Sequence, residues 1–122
     1  MTTTDVQIVC GEGALIGVVK DRVLHLLSLS VHEGSRGRGV GTALLRELAK
    51  WCRLNGMRRI DVDDMSTRQR CARNVYVLAG FAYRAPIGPE MYASPASVQR
   101  CTDGRGSDCV IELQTIPETY TR

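Results

Sequence analysis

The sequence predicts an α+β fold with a mixed sheet in three layers, formed as a single domain over residues 1–122. Three observations carry that prediction. A chain of 122 residues with 43% apolar and 24% charged content can enclose one core and is too short for two. Its first third alternates as hairpin-linked strands. A central strand then passes through a glycine-rich loop straight into an amphipathic helix, and a further strand and helix follow, which makes a β-α-β unit.

In chain order, strands at Val6 to Cys10 and Ala14 to Lys20 flank Gly11-Glu12-Gly13, whose glycines suit the positive φ of a tight connection. Asp21-Arg22 reads as a second hairpin turn. Val23 to Val31 puts Val23, His25, Leu27, Leu29 and Val31 on one face and Leu24, Leu26, Ser28 and Ser30 on the other, as in a central strand covered on both sides. The helix after the loop runs to about Asn55, with Val40, Leu44, Leu48, Trp51, Cys52 and Asn55 on one stripe. Asn55-Gly56 ends it, and Arg53 favours the negative end of its dipole. Arg58 to Asp64 is the next strand. A helix over Thr67 to Ala79 follows, with Ser66 as N-cap, Cys71, Val75, Leu78 and Ala79 facing inward, and Gly80-Phe81 closing it. Beyond Arg84, four residues (Pro86, Gly88, Pro89 and Pro95) argue against regular structure, and only Cys109 to Gln114 reads as a strand.

The net charge of +3 is too mild to argue for nucleic acid, and the few aromatics give no stacking platform. Only two of the sixteen basic residues are Lys, so the positive groups are mostly planar forks suited to an anionic ligand. Five cysteines, Cys10, Cys52, Cys71, Cys101 and Cys109, contain no C-x-x-C pair and no metal-ligand spacing with the two histidines. They read as reduced and mostly buried. No basic region followed by an apolar one opens the chain, and no apolar run is long enough to span a bilayer, so a cytoplasmic location is expected.

The informative stretch is Arg36-Gly37-Arg38-Gly39-Val40-Gly41-Thr42, between the central strand and its helix. Glycines there let the backbone approach a ligand closely. The loop N–H groups and the unpaired N–H groups of the first helical turn would point into one concavity at the positive end of the dipole, which suits a pyrophosphate. A P-loop needs Lys after its glycines, and none is present. A dinucleotide-binding loop needs G-x-G-x-x-G, and Gly37-Arg38-Gly39-Val40-Gly41-Thr42 breaks that spacing.

The third form fits: R-x-x-G-x-G at Arg36, Gly39 and Gly41 resembles motif A of the GCN5-related N-acetyltransferase (GNAT) superfamily. Ala72, Tyr76, Gly80 and Phe81 resemble that family's A-x-x-x-Y-x-x-x-G-F signature, on the expected later helix. The resemblance covers about residues 14 to 84. It implies a GNAT-like acyl-CoA N-acyltransferase fold, shortened at the N-terminus, that takes acetyl-CoA and moves an acetyl group to a primary amine of a small molecule, peptide or protein.

Carried over residue by residue, the resemblance implies a pantetheine arm in a gap beside the central strand, bonded to the backbone of Leu29 and Val31. The amides from Arg36 to Thr42 would hold the pyrophosphate. Tyr76 would protonate the departing thiolate, and His25 sits where the histone acetyltransferase branch has its general-base Glu. Asp61, Asp63, Asp64 and Glu33 are rivals for that base. Gln69 replaces the Asn that members often carry three residues before the alanine, and could reach the same pantetheine group. Arg68, Arg70 and Arg73 could meet the adenosine phosphate or decorate the outer helix face. The strand and two helices that commonly wall the acceptor pocket have no room before Val6, which implies an open groove or a pocket completed by a second copy in a homodimer. The competing reading is an inactive module that keeps the fold and binds acyl-CoA or a partner protein without turnover.

Overall fold

A computed structural model describes residues 4–106 and 110–117. Seven strands form one sheet: β1 (Thr4–Cys10), β2 (Gly13–Lys20), β3 (Val23–Val31), β4 (Arg59–Asp63), β5 (Ala82–Tyr83), β6 (Glu90–Ala93) and β7 (Glu112–Pro117). Helices are α1 (Val40–Leu54), α2 (Val75–Leu78) and α3 (Pro95–Thr102), with a 3-10 turn at Glu33–Ser35. The sheet order is β5-β6-β4-β3-β2-β1-β7, and only β3 and β4 run parallel. The chain therefore has the mixed α+β architecture that the strand-loop-helix pattern predicts.

The early elements follow local chemistry. Asp21 and Arg22 both take positive φ (54° and 63°), the two-residue turn that matches strand twist, and they set the register Lys20↔Val23. In α1 the apolar residues recur at helical spacing, and Val40, Ala43, Leu44, Leu45, Leu48, Ala49 and Cys52 are buried against β1, β2 and β3. Each large side chain there contributes about 1.5–3 kcal/mol by leaving water. Asn55, expected on the inward stripe, is instead the exposed C-cap, with Gly56 at φ 72° beyond it.

Four expectations need correction. First, β3 does not alternate strictly, because Ile16 pairs with Ser28 and Gly17 with Leu26, which leaves Leu27 as an unpaired bulge residue. The bulge resets the pleat: Leu24 and Leu26 are buried, Leu29 and Val31 stay on that helix-facing side beside Gly41, and Leu27 is 66% exposed on the other. Second, the predicted helix over Thr67 to Ala79 is only the four residues of α2, with Asn74 and not Ser66 as its cap. Asp64 accepts from the N–H and Oγ of Ser66, which locks that residue in a turn, and Arg70 has φ 62°, outside any right-handed helix. Third, Pro95 begins a helix, because the first helical position needs no N–H donor and Ser94 caps it. Fourth, of the cysteines expected to be mostly buried, Cys52 is buried, Cys71 is exposed, and Cys109 lies outside the described residues. The closing strand, expected over Cys109 to Gln114, is β7 at Glu112–Pro117, paired with β1.

Candidate functional site

Between β3 and its helix, backbone donors gather. Gly37 and Gly39 hold φ of 79° and 82°, a conformation that glycine adopts without the cost a Cβ would bring, and Gly39 is the N-cap of α1 with no side-chain cap bond. The N–H groups from Gly37 to Thr42 donate to no acceptor among the described residues, and the first intrahelical bond runs from Ala43 N–H to Gly39 O at 3.0 Å. Six successive donors thus adjoin the positive end of a 15-residue helix, as an anionic diphosphate requires. Arg36 donates from Nε to Val31 O at 3.2 Å and so ties the loop to the strand end, while Arg38 is exposed.

Next to the loop the sheet opens. β3 and β4 pair from Val23↔Arg59 to Leu26↔Val62, and β3 then runs on for Leu27 to Val31 with no partner on that side among the described residues. The backbone of this stretch can be oriented. His32 N–H donates to Glu12 O, toward β2, so the Val31 carbonyl across the same trans peptide points the opposite way, into the opening. By strand alternation the N–H and C=O of Leu29 and Val31 both face the opening. A cleft of about 320 Å³ lies there, lined by Leu27, Ser28, Leu29, Val62, Asp63, Asp64, Met65, Ser66 and Tyr76.

Tyr76 reaches the cleft from α2. Its ring packs edge-on to Phe81 with centroids 5.7 Å apart. Asn74 accepts the N–H of Tyr76 at 2.8 Å and of Val77 at 3.3 Å, fixing where the helix begins. Burial, and secondarily the charge of Asp64, push the Tyr76 phenol up to about 12. It is therefore a weaker acid than a free phenol and holds its proton throughout the neutral range.

Three carboxylates at the end of β4 have three different settings. Asp61 accepts from Arg59 at 2.7 Å and from Arg84 at 3.2 Å. Asp64 is fully buried and accepts from Ser66 N–H and Oγ, Asn74 Nδ2 and Tyr83 OH. Burial alone would raise its pKa, but those hydrogen bonds outweigh it and the carboxyl lies below its ordinary range. Asp63 is exposed and lines the cleft, and its carboxylate has no hydrogen bond or ion pair among the described residues. His25 sits in the closed part of the sheet, between Val18 and Asp61 in register, and is not among the cleft-lining residues. Gln69 donates from Nε2 to Asp64 O at 2.6 Å, and Glu33 lies in the 3-10 turn before the loop. Sequence reading passed over Asn74 as a functional residue. The available signal was an Asn directly before the apolar run Val75-Tyr76-Val77-Leu78.

The Acetyltransferase (GNAT) family profile matches residues 7–81. No curated protein matches the chain in sequence. Among solved structures, the chain is similar to the PaiA N-acetyltransferase of Thermoplasma acidophilum, solved in complex with coenzyme A, at 16% identity and TM-score 0.63 over 74% of this chain and 61% of that one. An acetyltransferase from Bacillus cereus aligns at 22% identity and TM-score 0.57 over 73% and 69% of the two chains. A GNAT-family acetyltransferase from Staphylococcus aureus aligns at 17% and 0.56 over 68% and 59%. The chain thus spans less than two thirds of the length of the first and third of these.

Proposed function

Since this chain belongs to the acetyltransferase (GNAT) family, we propose that it is an acyl-CoA-dependent N-acetyltransferase that moves an acetyl group from acetyl-CoA to a primary amine. The observation that carries this reading is the adjacency of the unbonded amides from Gly37 to Thr42 and the opening between β3 and β4. The residues present fit coenzyme A: a glycine-lined donor array suits its pyrophosphate, and a slot edged by strand backbone suits an amide-bearing arm.

When bound, acetyl-CoA supplies the acyl group as an activated thioester. The amides from Gly37 to Thr42, with Arg36 and Arg38 beside them, would hold the diphosphate. The backbone of Leu29 and the N–H of Val31 would hydrogen-bond the arm, and the Leu29 N–H would be placed to polarise a carbonyl there. Tyr76 OH, which lines the cleft, would donate its hydrogen to the thioester sulfur. With its pKa near 12, it serves mainly by hydrogen bonding charge as it develops, since outright transfer to a thiolate of ordinary basicity is uphill by about 3 units. On the acceptor side, the carboxylate of Asp63 lines the cleft and is placed to hold an ammonium group, whereas His25 lies in the closed part of the sheet.

A thiol-release assay with acetyl-CoA and a panel of amines and peptides, run beside calorimetric cofactor binding, tests the reading. Binding abolished by Gly39→Glu, with release for at least one amine, supports it. Binding without release for any acceptor supports a module that keeps the cofactor site alone.

A further inference from the structure

Asp64 is a buried charge without a counter-ion. It is fully buried, and no Lys, Arg or His forms an ion pair with it among the described residues. Such a group is costly to keep, and a stability role alone would be met by an uncharged side chain. The chain meets it instead with neutral donors from three segments: Ser66 N–H at 3.1 Å and Oγ at 2.6 Å, Asn74 Nδ2 at 2.8 Å and Tyr83 OH at 2.9 Å. Two of these partners extend the network. Tyr83 OH accepts the Arg70 N–H at 2.7 Å, and Asn74 Oδ1 accepts the N–H groups of Tyr76 and Val77.

A continuous path therefore joins one wall of the cleft to the other, from Asp64 through Asn74 to Tyr76. The helix that carries Tyr76 is four residues long, far below what propagates on its own, so its start is set from outside by the cap. We propose that Asp64 is a positioning residue for acyl transfer: through Asn74 it fixes where α2 begins and hence where the Tyr76 hydroxyl sits in the cleft. This inference rests on the transferase reading above. The same carboxylate also faces the phenol electrostatically and helps keep it protonated.

The test exchanges the two partners. Asp64→Asn turns one of the two accepting oxygens into an NH2 donor, so Ser66 on one side and Asn74 with Tyr83 on the other can no longer both be served. The double variant Asp64→Asn with Asn74→Asp restores a donor-acceptor pair between the two positions in the opposite sense, though it gives up the bond from Asn74 Nδ2 to Arg68 O at 3.0 Å, and Asp is itself a good N-cap. Asp64→Asn is expected to lower kcat about tenfold or more while KM for acetyl-CoA changes by less than about twofold, and the exchange is expected to recover part of the loss. Asn74→Ser keeps a cap acceptor but is too short to hold Asp64, and is expected to repeat the kcat loss if Asp64→Asn fails to fold. In nitrogen-15 spectra the Tyr76 and Val77 amide signals should move in the single variants and return in the exchange. Unchanged kcat in either single variant, a kcat loss that the exchange leaves in place, or unmoved amide signals overturns the proposal. Absence of thiol release by the unaltered protein overturns the transferase reading instead, and the amide signals still report on the Asp64 path.

Discussion

Asn74 donates to Asp64 Oδ2 at 2.8 Å and on its other side accepts the Tyr76 N–H at 2.8 Å, so one buried amide joins the strand end to the helix that faces it. A continuous helix from Thr67 would carry this residue in its interior, where Asn is poor. As a cap it satisfies two orphan donors at once.

Asn74→Ala removes the cap and leaves Asp64 short of a donor. A loss of about 1–3 kcal/mol of unfolding free energy is expected in urea titration. A loss under about 0.5 kcal/mol would show that α2 is held by packing alone.

Tyr76→Phe keeps the ring on Phe81 and removes the hydroxyl. The expected result is kcat down by about a hundredfold or more, with the dissociation constant for acetyl-CoA within about twofold. Its pH behaviour follows from the raised pKa. Because the folded value, about 12, exceeds the unfolded one near 10, Tyr76's contribution to stability is complete below about pH 10 and is lost as pH rises toward 12. Tyr76→Phe should lessen the alkaline loss of stability in that window, and an unchanged alkaline profile speaks against a buried phenol.

Cys52 is buried with its thiol pushed up to about 12, whereas Cys71 is exposed on the turn before α2. Alkylation of the native protein followed by mass mapping should label Cys71 first and Cys52 only after unfolding. Equal labelling of the two in native buffer contradicts this packing of α1.

Gly80 combines φ 95° with a space in which a Cβ would lie 2.9 Å from Cys101 Sγ and 3.1 Å from Ser97 Oγ. Gly80→Ala should cost about 1 kcal/mol or more through both strain and the displaced α3 contact. A neutral result in thermal unfolding would mean that α3 yields freely there.

The elements legible in the sequence were those set by nearby residues. Asp21-Arg22 announced its hairpin, Val40 to Cys52 announced α1 by period, and Arg36 to Thr42 announced a donor loop because glycine spacing is a local signal. The bulge at Leu27 depends on how β2 pairs across from it, so an alternating run of apolar residues hid which side Leu29 faces. The shortened α2 depends on Asp64 gathering Ser66, Asn74 and Tyr83 around one carboxylate, and Tyr83 meets it only once β4 and β5 lie in one sheet. Likewise the separate roles open to Asp61, Asp63 and Asp64 are set by Arg84 and Tyr83, about twenty residues away, and a run of acids in sequence cannot disclose them.

The central claim is that the amides from Gly37 to Thr42 hold a diphosphate whose attached arm enters the opening beside β3. Titration of nitrogen-15-labelled protein with coenzyme A reads this directly. The account expects the largest amide shifts at Gly37 to Thr42, with Leu29 and Val31 moving along with them. Shifts confined to other parts of the sheet, with the loop amides unmoved at saturating ligand, would contradict it.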